Sequence, residues 1–230
     1  MRMLLIIPAF NEAGNIPILV DEIARQAPDY DYIIINDGST DDTVDVCNKN
    51  SYNALHLSTN LGIGGAVQTG YRYALLHNYD IAIQIDGDGQ HDPVFLDQLV
   101  EPIICEKADY CIGSRFIQNE GFQSSKIRRI GIRWLNFVLY ILTKQKFTDA
   151  TSGFRAVNRA VYKLFAESYP YDYPEPEAIC DAISHGMRIV EVPIKMRERS
   201  TGTSSIRPLR SIYYMVKVTL AILVSRIKSW

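Results

Sequence analysis

Cysteine is scarce in this chain. Its four residues, Cys47, Cys105, Cys111 and Cys180, form no C-x-x-C pair and no ligand cluster. That excludes a disulfide scaffold and a thiolate zinc site, and predicts buried thiols in a reducing, cytoplasmic compartment. Long apolar runs are also missing. The longest candidate, "IYYMVKVTLAILV" at 212–224, offers about 13 positions with Lys217 inside, against roughly 20 for a spanning helix. The opening "MRMLLIIPAFNE" makes a poor signal peptide, because Pro8, Asn11 and Glu12 interrupt a short apolar stretch. There is no Walker lysine motif, no G-x-S-x-G elbow, no fixed-period repeat and no low-complexity linker.

What is present describes a globular protein. Hydrophobic residues make up 47% of the 230 positions and charged residues 22%, enough for one sizeable core. Charge is unevenly spread: residues 1–112 carry 5 Lys/Arg against 17 Asp/Glu, and residues 113–230 carry 19 against 9. This asymmetry points to a cationic partner on the acidic side and an anionic one on the basic side.

The first half alternates β-rich runs with helical patterns. Strands are predicted at 3–9, 32–37, 53–58, 81–86 and 109–114. Between them, apolar residues recur at three- and four-residue steps, as a buried helix face requires. Ser39 with Asp42 resembles a capping box, and Asp92-Pro93 an N-cap with a first-turn proline. Strands that are apolar throughout suit a parallel sheet covered on both faces, so the fold class is α/β: a Rossmann-like, mostly parallel sheet. Further on come a basic then apolar stretch at 126–146, a short strand in "SGFRAVN", a helix near 176–185, a strand at 188–194 and a C-terminal amphipathic helix. The expected division is a catalytic domain over 1–205 and an appended helix over 206–230.

In a doubly wound sheet, ligands sit at the carboxyl ends of the strands. There "DGDGQHD" (86–92) follows the fourth strand. Asp86 and Asp88 can both project from that edge, and a Mg²⁺ or Mn²⁺ ion takes one or two carboxylates together with waters and substrate phosphate oxygens. Gln90 completes a sufficient set. An EF-hand is excluded, because His91 stands where that loop needs glycine. A solvated turn is the plainer alternative. Asp37, ending the second strand, can accept hydrogen bonds from a nucleobase N–H edge. "NLGIGGAVQTG" does not complete a dinucleotide fingerprint.

"IIPAFNEAGNI", "INDGSTDDT", "NLGIGGAVQTGY", "QIDGDGQHDP" and "IGSRF" stand in the order seen in family 2 glycosyltransferases. Over residues 3–205 the chain resembles the branch of dolichol-phosphate mannose synthases and bacterial polyprenyl-phosphate sugar transferases. The resemblance implies a GT-A type fold and inverting transfer from a nucleotide-diphosphate sugar to a polyprenyl phosphate. It implies a metal on Asp86 and Asp88 with Gln90 assisting, and a nucleotide lined by Pro8, Phe10, Glu12, Asp37 and Asn60. The acceptor phosphate would meet Arg115 and Arg128, with Arg129 as a substitute for Arg128 and Arg155 and Arg199 as further matches. Such an acceptor is already an anionic nucleophile, so positioning by cations replaces a strong base. Three departures leave the sugar open: Ile132 where serine is usual in R-x-x-x-S-R, Ser205 where a late lysine is usual, and "YPEPE" at 173–177.

Two other readings stand beside this one. A family 2 enzyme acting on a sugar hydroxyl would use Glu175 or Glu177 as general base; a non-catalytic nucleotide-sugar sensor would not need the aspartates. For the lipid acceptor, basic and apolar stretches at 134–142 and 212–224 suit peripheral attachment to the inner face of the cell membrane. A membrane partner protein and self-association stay open, and no nucleic acid is expected as a partner.

Overall fold

The structure is a computed structural model that describes residues 1–123, 126–171, 174–198 and 217–220. Its centre is a seven-stranded sheet of β1 (Met3–Ala9), β2 (Asp31–Asn36), β3 (Ala54–His56), β4 (Ile81–Gln84), β5 (Tyr110–Ser114), β6 (Arg155–Asn158) and β7 (Ile189–Pro193). The spatial order is β3-β2-β1-β4-β6-β5-β7. Neighbouring strands are parallel except where β6 meets β4 and β5, both of which it pairs antiparallel. The fold is therefore α/β with a mixed, mostly parallel sheet.

Strand alternation divides the core in two. Along β1, Leu4 and Ile6 face one side and Leu5 and Ile7 the other, all fully buried. The first side is covered by α3 (Gly62–Leu76), α5 (Lys126–Thr143), α6 (Arg159–Glu167) and α7 (Pro174–Ser184), through Val67, Tyr71, Leu135, Leu139, Phe165 and Ile179. On the second side lie α1 (Ile16–Gln26), α2 (Thr43–Lys49) and α4 (Leu96–Ile104), which bury Ile16, Leu19, Ile23, Cys47, Leu96 and Leu99. Both faces are covered at the central strands β1, β4 and β5, which explains strands that are apolar throughout.

Several expectations change in detail. Ser39 does not cap α2. Its hydroxyl accepts from the Asn11 N–H at 2.9 Å, and Asp41 instead receives the Thr43 N–H at 3.0 Å. Asp92 does cap, accepting from Val94, although the turn it starts (Pro93–Phe95) is a 3-10 turn leading into α4. Cys47, Cys111 and Cys180 are buried, whereas Cys105 is exposed at the end of α4. Helix α6 was not anticipated. Of the expected appendage at 206–230, only residues 217–220 are described; they are helical, and Val218 joins the first core cluster.

Candidate active site

The order β2-β1-β4 reverses direction of travel between β1 and β4, and a crevice opens at such a switch point. Loops from β1, β2, β3 and β4 meet there. The first two are laced together: the side-chain oxygen of Asn11 accepts from the Thr40 N–H at 2.8 Å, and the Glu12 N–H donates to Thr43 Oγ1 at 3.0 Å. Asp37 donates its N–H to the Ala9 carbonyl at 2.8 Å, and its Oδ1 accepts from the Leu61 N–H at 2.7 Å. Asn60 ties the third loop in by donating to the Asp37 carbonyl at 3.0 Å. Pro8, Phe10, Glu12, Asp37 and Asn60 thus belong to one edge. Asp37 is buried and Phe10 exposed. Burial pushes the Asp37 carboxyl above its ordinary range, and the N–H groups of Leu61 and Gly62 oppose the rise.

The fourth loop carries the acidic pair. Asp86 Oδ1 accepts from Gln84 Nε2 at 3.2 Å, and the Asp86 N–H donates to His91 Nδ1 at 3.0 Å. Asp88 is buried, with its Oδ1 accepting from the Gln90 N–H at 3.0 Å. Gln90 turns its amide nitrogen to the Arg197 carbonyl at 3.3 Å, leaving Oε1 as the atom a cation would take. Among the described residues no three His, Cys, Asp or Glu side chains gather as a metal cluster. A cation here would therefore complete its shell with substrate oxygens and water, the usual pattern for Mg²⁺ and Mn²⁺ bound beside phosphates. Space around Asp86 fits that use: a Cβ on Gly153 would come within 3.0 Å of both carboxylate oxygens. A Cβ there would make the Asp86 carboxylate give by a few tenths of an ångström. The donor set is hard oxygen throughout, as these ions prefer.

Antiparallel β6 has a consequence for the site. Because it runs against its neighbours, the residues that enter it, not those that leave it, lie at the carboxyl ends of β4 and β5. Gly153 reaches Asp86 by this route. So does Asp149, which meets Arg115 at the end of β5: Nε lies 2.6 Å from Oδ2, and the second terminal nitrogen 2.7 Å from Oδ1. The Arg115 guanidinium is buried and turned inward. Glu191 of β7 backs the pair, accepting from the Asp149 N–H at 2.8 Å and the Thr148 N–H at 2.7 Å. Arg155 is buried completely and donates to the carbonyls of Ala150 (2.8 Å), Glu175 (2.9 Å) and Ser152, and to the Tyr110 hydroxyl. The sequence expected both arginines to face an acceptor phosphate; the structure turns both onto protein partners.

Arg128 and Arg129 lie on the first turn of α5 and are partly exposed. Arg129 lines a cavity of about 290 Å³ together with Phe116, Arg133 and Thr148. Glu175, partly buried at the start of α7, is the meeting point of several charges. Burial raises its carboxyl above the ordinary range, Arg155 pulls it back, Asp86 adds to the rise and Arg128 opposes it. Glu175 therefore lies within the electrostatic reach of Asp86, Arg128 and Arg155. Glu177 lies two residues along the same helix, and Arg199 falls outside the described residues.

Asp149, Glu191, Gly153 and His91 were not singled out as site residues. Asp149 lies 34 positions from Arg115 and 42 from Glu191, and no local periodicity encodes such pairings. The antiparallel run of β6 explains the place of Asp149 and Gly153, whereas His91 lies in the loop after β4 and Glu191 on β7.

Loops that gather acidic and polar groups at the switch point of a mostly parallel sheet define a nucleotide-binding α/β enzyme. The model for glycosyl transferase family 2 matches residues 4–165, and the chain belongs to that family. It is a glycosyltransferase that uses a nucleotide sugar. It is 34% identical over 215 residues to the undecaprenyl-phosphate mannosyltransferase of Micrococcus luteus, covering 89% of this chain and 87% of that protein. It is 33% identical over 212 residues to the UDP-N-acetylglucosamine–dolichyl-phosphate N-acetylglucosaminyltransferase of Methanococcus voltae, covering 83% and 84% respectively. Among solved structures, glucosyl-3-phosphoglycerate synthase from Mycobacterium tuberculosis, with Mn²⁺, UDP-glucose and phosphoglyceric acid, superposes with a TM-score of 0.73. That match covers 98% of this chain and 79% of the other at 21% identity, which supports a GT-A-like fold.

Proposed function

We propose that the protein transfers a sugar, with inversion, from a nucleotide-diphosphate sugar to a polyprenyl phosphate at the cytoplasmic face of a membrane. Asp37 keeps one carboxylate oxygen on the Leu61 N–H and offers the other to the N–H edge of the base. Asp86 and Asp88, with Gln90, hold a Mg²⁺ or Mn²⁺ ion. When bound, that ion neutralises the diphosphate as it departs. Pro8, Phe10, Glu12 and Asn60 line the nucleotide. Arg128 and Arg129 hold the acceptor phosphate near the anomeric carbon, and Arg199 belongs to the same proposed set. Arg115 and Arg155 serve that set from behind, by fixing the loop between α5 and β6 through Asp149, Ala150 and Ser152.

The observation that carries this reading is the placement of Arg128 and Arg129 on the first turn of α5, with Arg128 and Asp86 both acting on the Glu175 carboxyl. A phosphate nucleophile arrives ionised and needs positioning more than deprotonation. The polyprenyl-phosphate acceptors named for the two relatives above support the same choice. Membrane contact is supported by α5, whose outer face exposes Ile130, Trp134, Phe137 and Ile141 beside Arg133. No helix among the described residues is long and apolar enough to cross a membrane.

Glu175 favours a second reading. A carboxyl whose pKa is raised by burial and, further, by the Asp86 charge is suited to act as general base for a sugar hydroxyl. The test is acceptor type. Membranes from a lipid-phosphate-containing host are incubated with enzyme, Mn²⁺ and radiolabelled nucleotide sugars. Label entering organic-extractable, acid-labile lipid supports the first reading; label confined to water-soluble or polymeric glycan overturns it.

A further inference from the structure

His91 is fully buried, yet it is not satisfied. Its Nδ1 lies 3.0 Å from the Asp86 nitrogen, and a backbone N–H can only donate. Nδ1 is therefore the acceptor, and the proton of a neutral imidazole resides on Nε2. That Nε2–H has no hydrogen-bond partner among the described residues. It faces Asp86 Oδ2 at 3.8 Å, beyond hydrogen-bond reach. Buried N–H groups without partners are rare and costly.

The ring itself is held firmly. It stacks on Phe154 with centroids 4.9 Å apart and planes 15° from parallel. Its backbone forms a bridge to Met196, and the Arg197 N–H donates to the Gln90 carbonyl at 3.0 Å. Arg197 is anchored in turn by Asp92 at 2.7 Å and Glu22 at 2.8 Å. The Asp86 side chain, by contrast, is 34% exposed and restrained on Oδ1 by Gln84. Of the two groups, the carboxylate is the one free to close the gap.

We propose that His91 is a positioning residue of the metal site. Through Nδ1 it fixes the backbone at Asp86, and its Nε2–H closes onto Oδ2 once the carboxylate engages a divalent cation. The imidazole and Gln84 then grip Asp86 from two sides, so that one orientation of its oxygens is presented to the ion. Outer groups that orient a metal-ligating side chain usually contribute 10- to 100-fold to metal affinity. This inference rests on Asp86 and Asp88 being the metal ligands, and its test keeps the two claims apart.

The experiment measures Mn²⁺ binding to the full-length protein in the presence of UDP, and separately of GDP, by the electron paramagnetic resonance signal of free Mn²⁺. His91→Phe preserves ring shape and stacking but removes both nitrogens. His91→Asn retains an acceptor near Nδ1 and lacks the Nε2–H; it is read in the same way if the phenylalanine variant does not fold. Asp88→Asn is the control for the metal site, and circular dichroism confirms the fold of each variant. The expected result is Mn²⁺ binding weakened about 10- to 100-fold in either His91 variant, with the nucleotide-only affinity unchanged. His91→Gln, which returns an amide donor towards Oδ2, is expected to recover part of the loss. Mn²⁺ affinity within twofold of wild type in a folded His91 variant, while Asp88→Asn abolishes binding, overturns the inference and leaves the metal assignment standing. If Asp88→Asn also binds Mn²⁺ normally, the metal assignment itself falls and the inference falls with it.

Discussion

Arg115 and Asp149 form a buried two-pronged ion pair, 2.6 Å and 2.7 Å long, at the carboxyl end of β5. Asp149 would be an uncompensated charge in the interior without its partner. Arg115→Ala is therefore expected to destabilise the protein by about 3–5 kcal/mol in denaturant unfolding. A variant of wild-type stability that had lost only activity would place Arg115 on the substrate instead.

Glu175 separates the two acceptor chemistries. With a phosphate acceptor, Glu175→Gln retains kcat to within about tenfold, because no proton has to leave the nucleophile. With a hydroxyl acceptor, the loss is about 10²–10⁴-fold. In that case the kcat/KM profile of the wild type rises with pH through a value above the ordinary carboxylate range, because burial raises the Glu175 pKa. Steady-state kinetics across about pH 5–8, which covers the range above an ordinary carboxylate, decide the matter.

Gly64 lies in the first turn of α3, where helix propensity alone favours alanine by about 1 kcal/mol. Packing reverses the sign. A Cβ at this position would lie 1.9 Å from the Pro170 carbonyl and 2.5 Å from that of Tyr171, which accepts the Gly64 N–H at 3.1 Å. Gly64→Ala is expected to cost about 1–3 kcal/mol in thermal or denaturant unfolding.

Asp109 supplies a pH signature away from the site. Hydrogen bonds from Arg188 lower its carboxyl below the ordinary value, and burial partly opposes them. A folded pKa depressed below the unfolded one contributes stability that is complete above about pH 4 and lost as pH falls towards the folded value. Removing the guanidinium should flatten that limb. The thermal midpoint of Arg188→Gln is thus expected to lie below wild type at neutral pH and to converge on it in acid.

Much of the architecture was legible because its signals are local. β1, β2 and β4 are runs of Ile and Leu buried on both faces, and α1 repeats Ile16, Leu19 and Ile23 at helical steps. The acidic loop could be placed because Asp86 follows such a run. Long-range choices were not legible. The direction of β6 depends on which neighbours it joins, and that direction brings Gly153 and Asp149 to the edge. Arg115 and Arg155 illustrate the same limit. A guanidinium suited to phosphate is equally suited to a carboxylate or to carbonyls, and only the fold decides which it meets. Ser39 likewise has a capping residue's chemistry, but the loop after β1 takes its hydroxyl.

The most direct test is crystallographic. Crystals grown with Mn²⁺ and the preferred nucleoside diphosphate, measured at the manganese absorption edge, should show one anomalous peak about 2.0–2.2 Å from a carboxylate oxygen of Asp86 or Asp88 and from the diphosphate. Diphosphate bound in the crevice with no peak beside either aspartate would contradict the account.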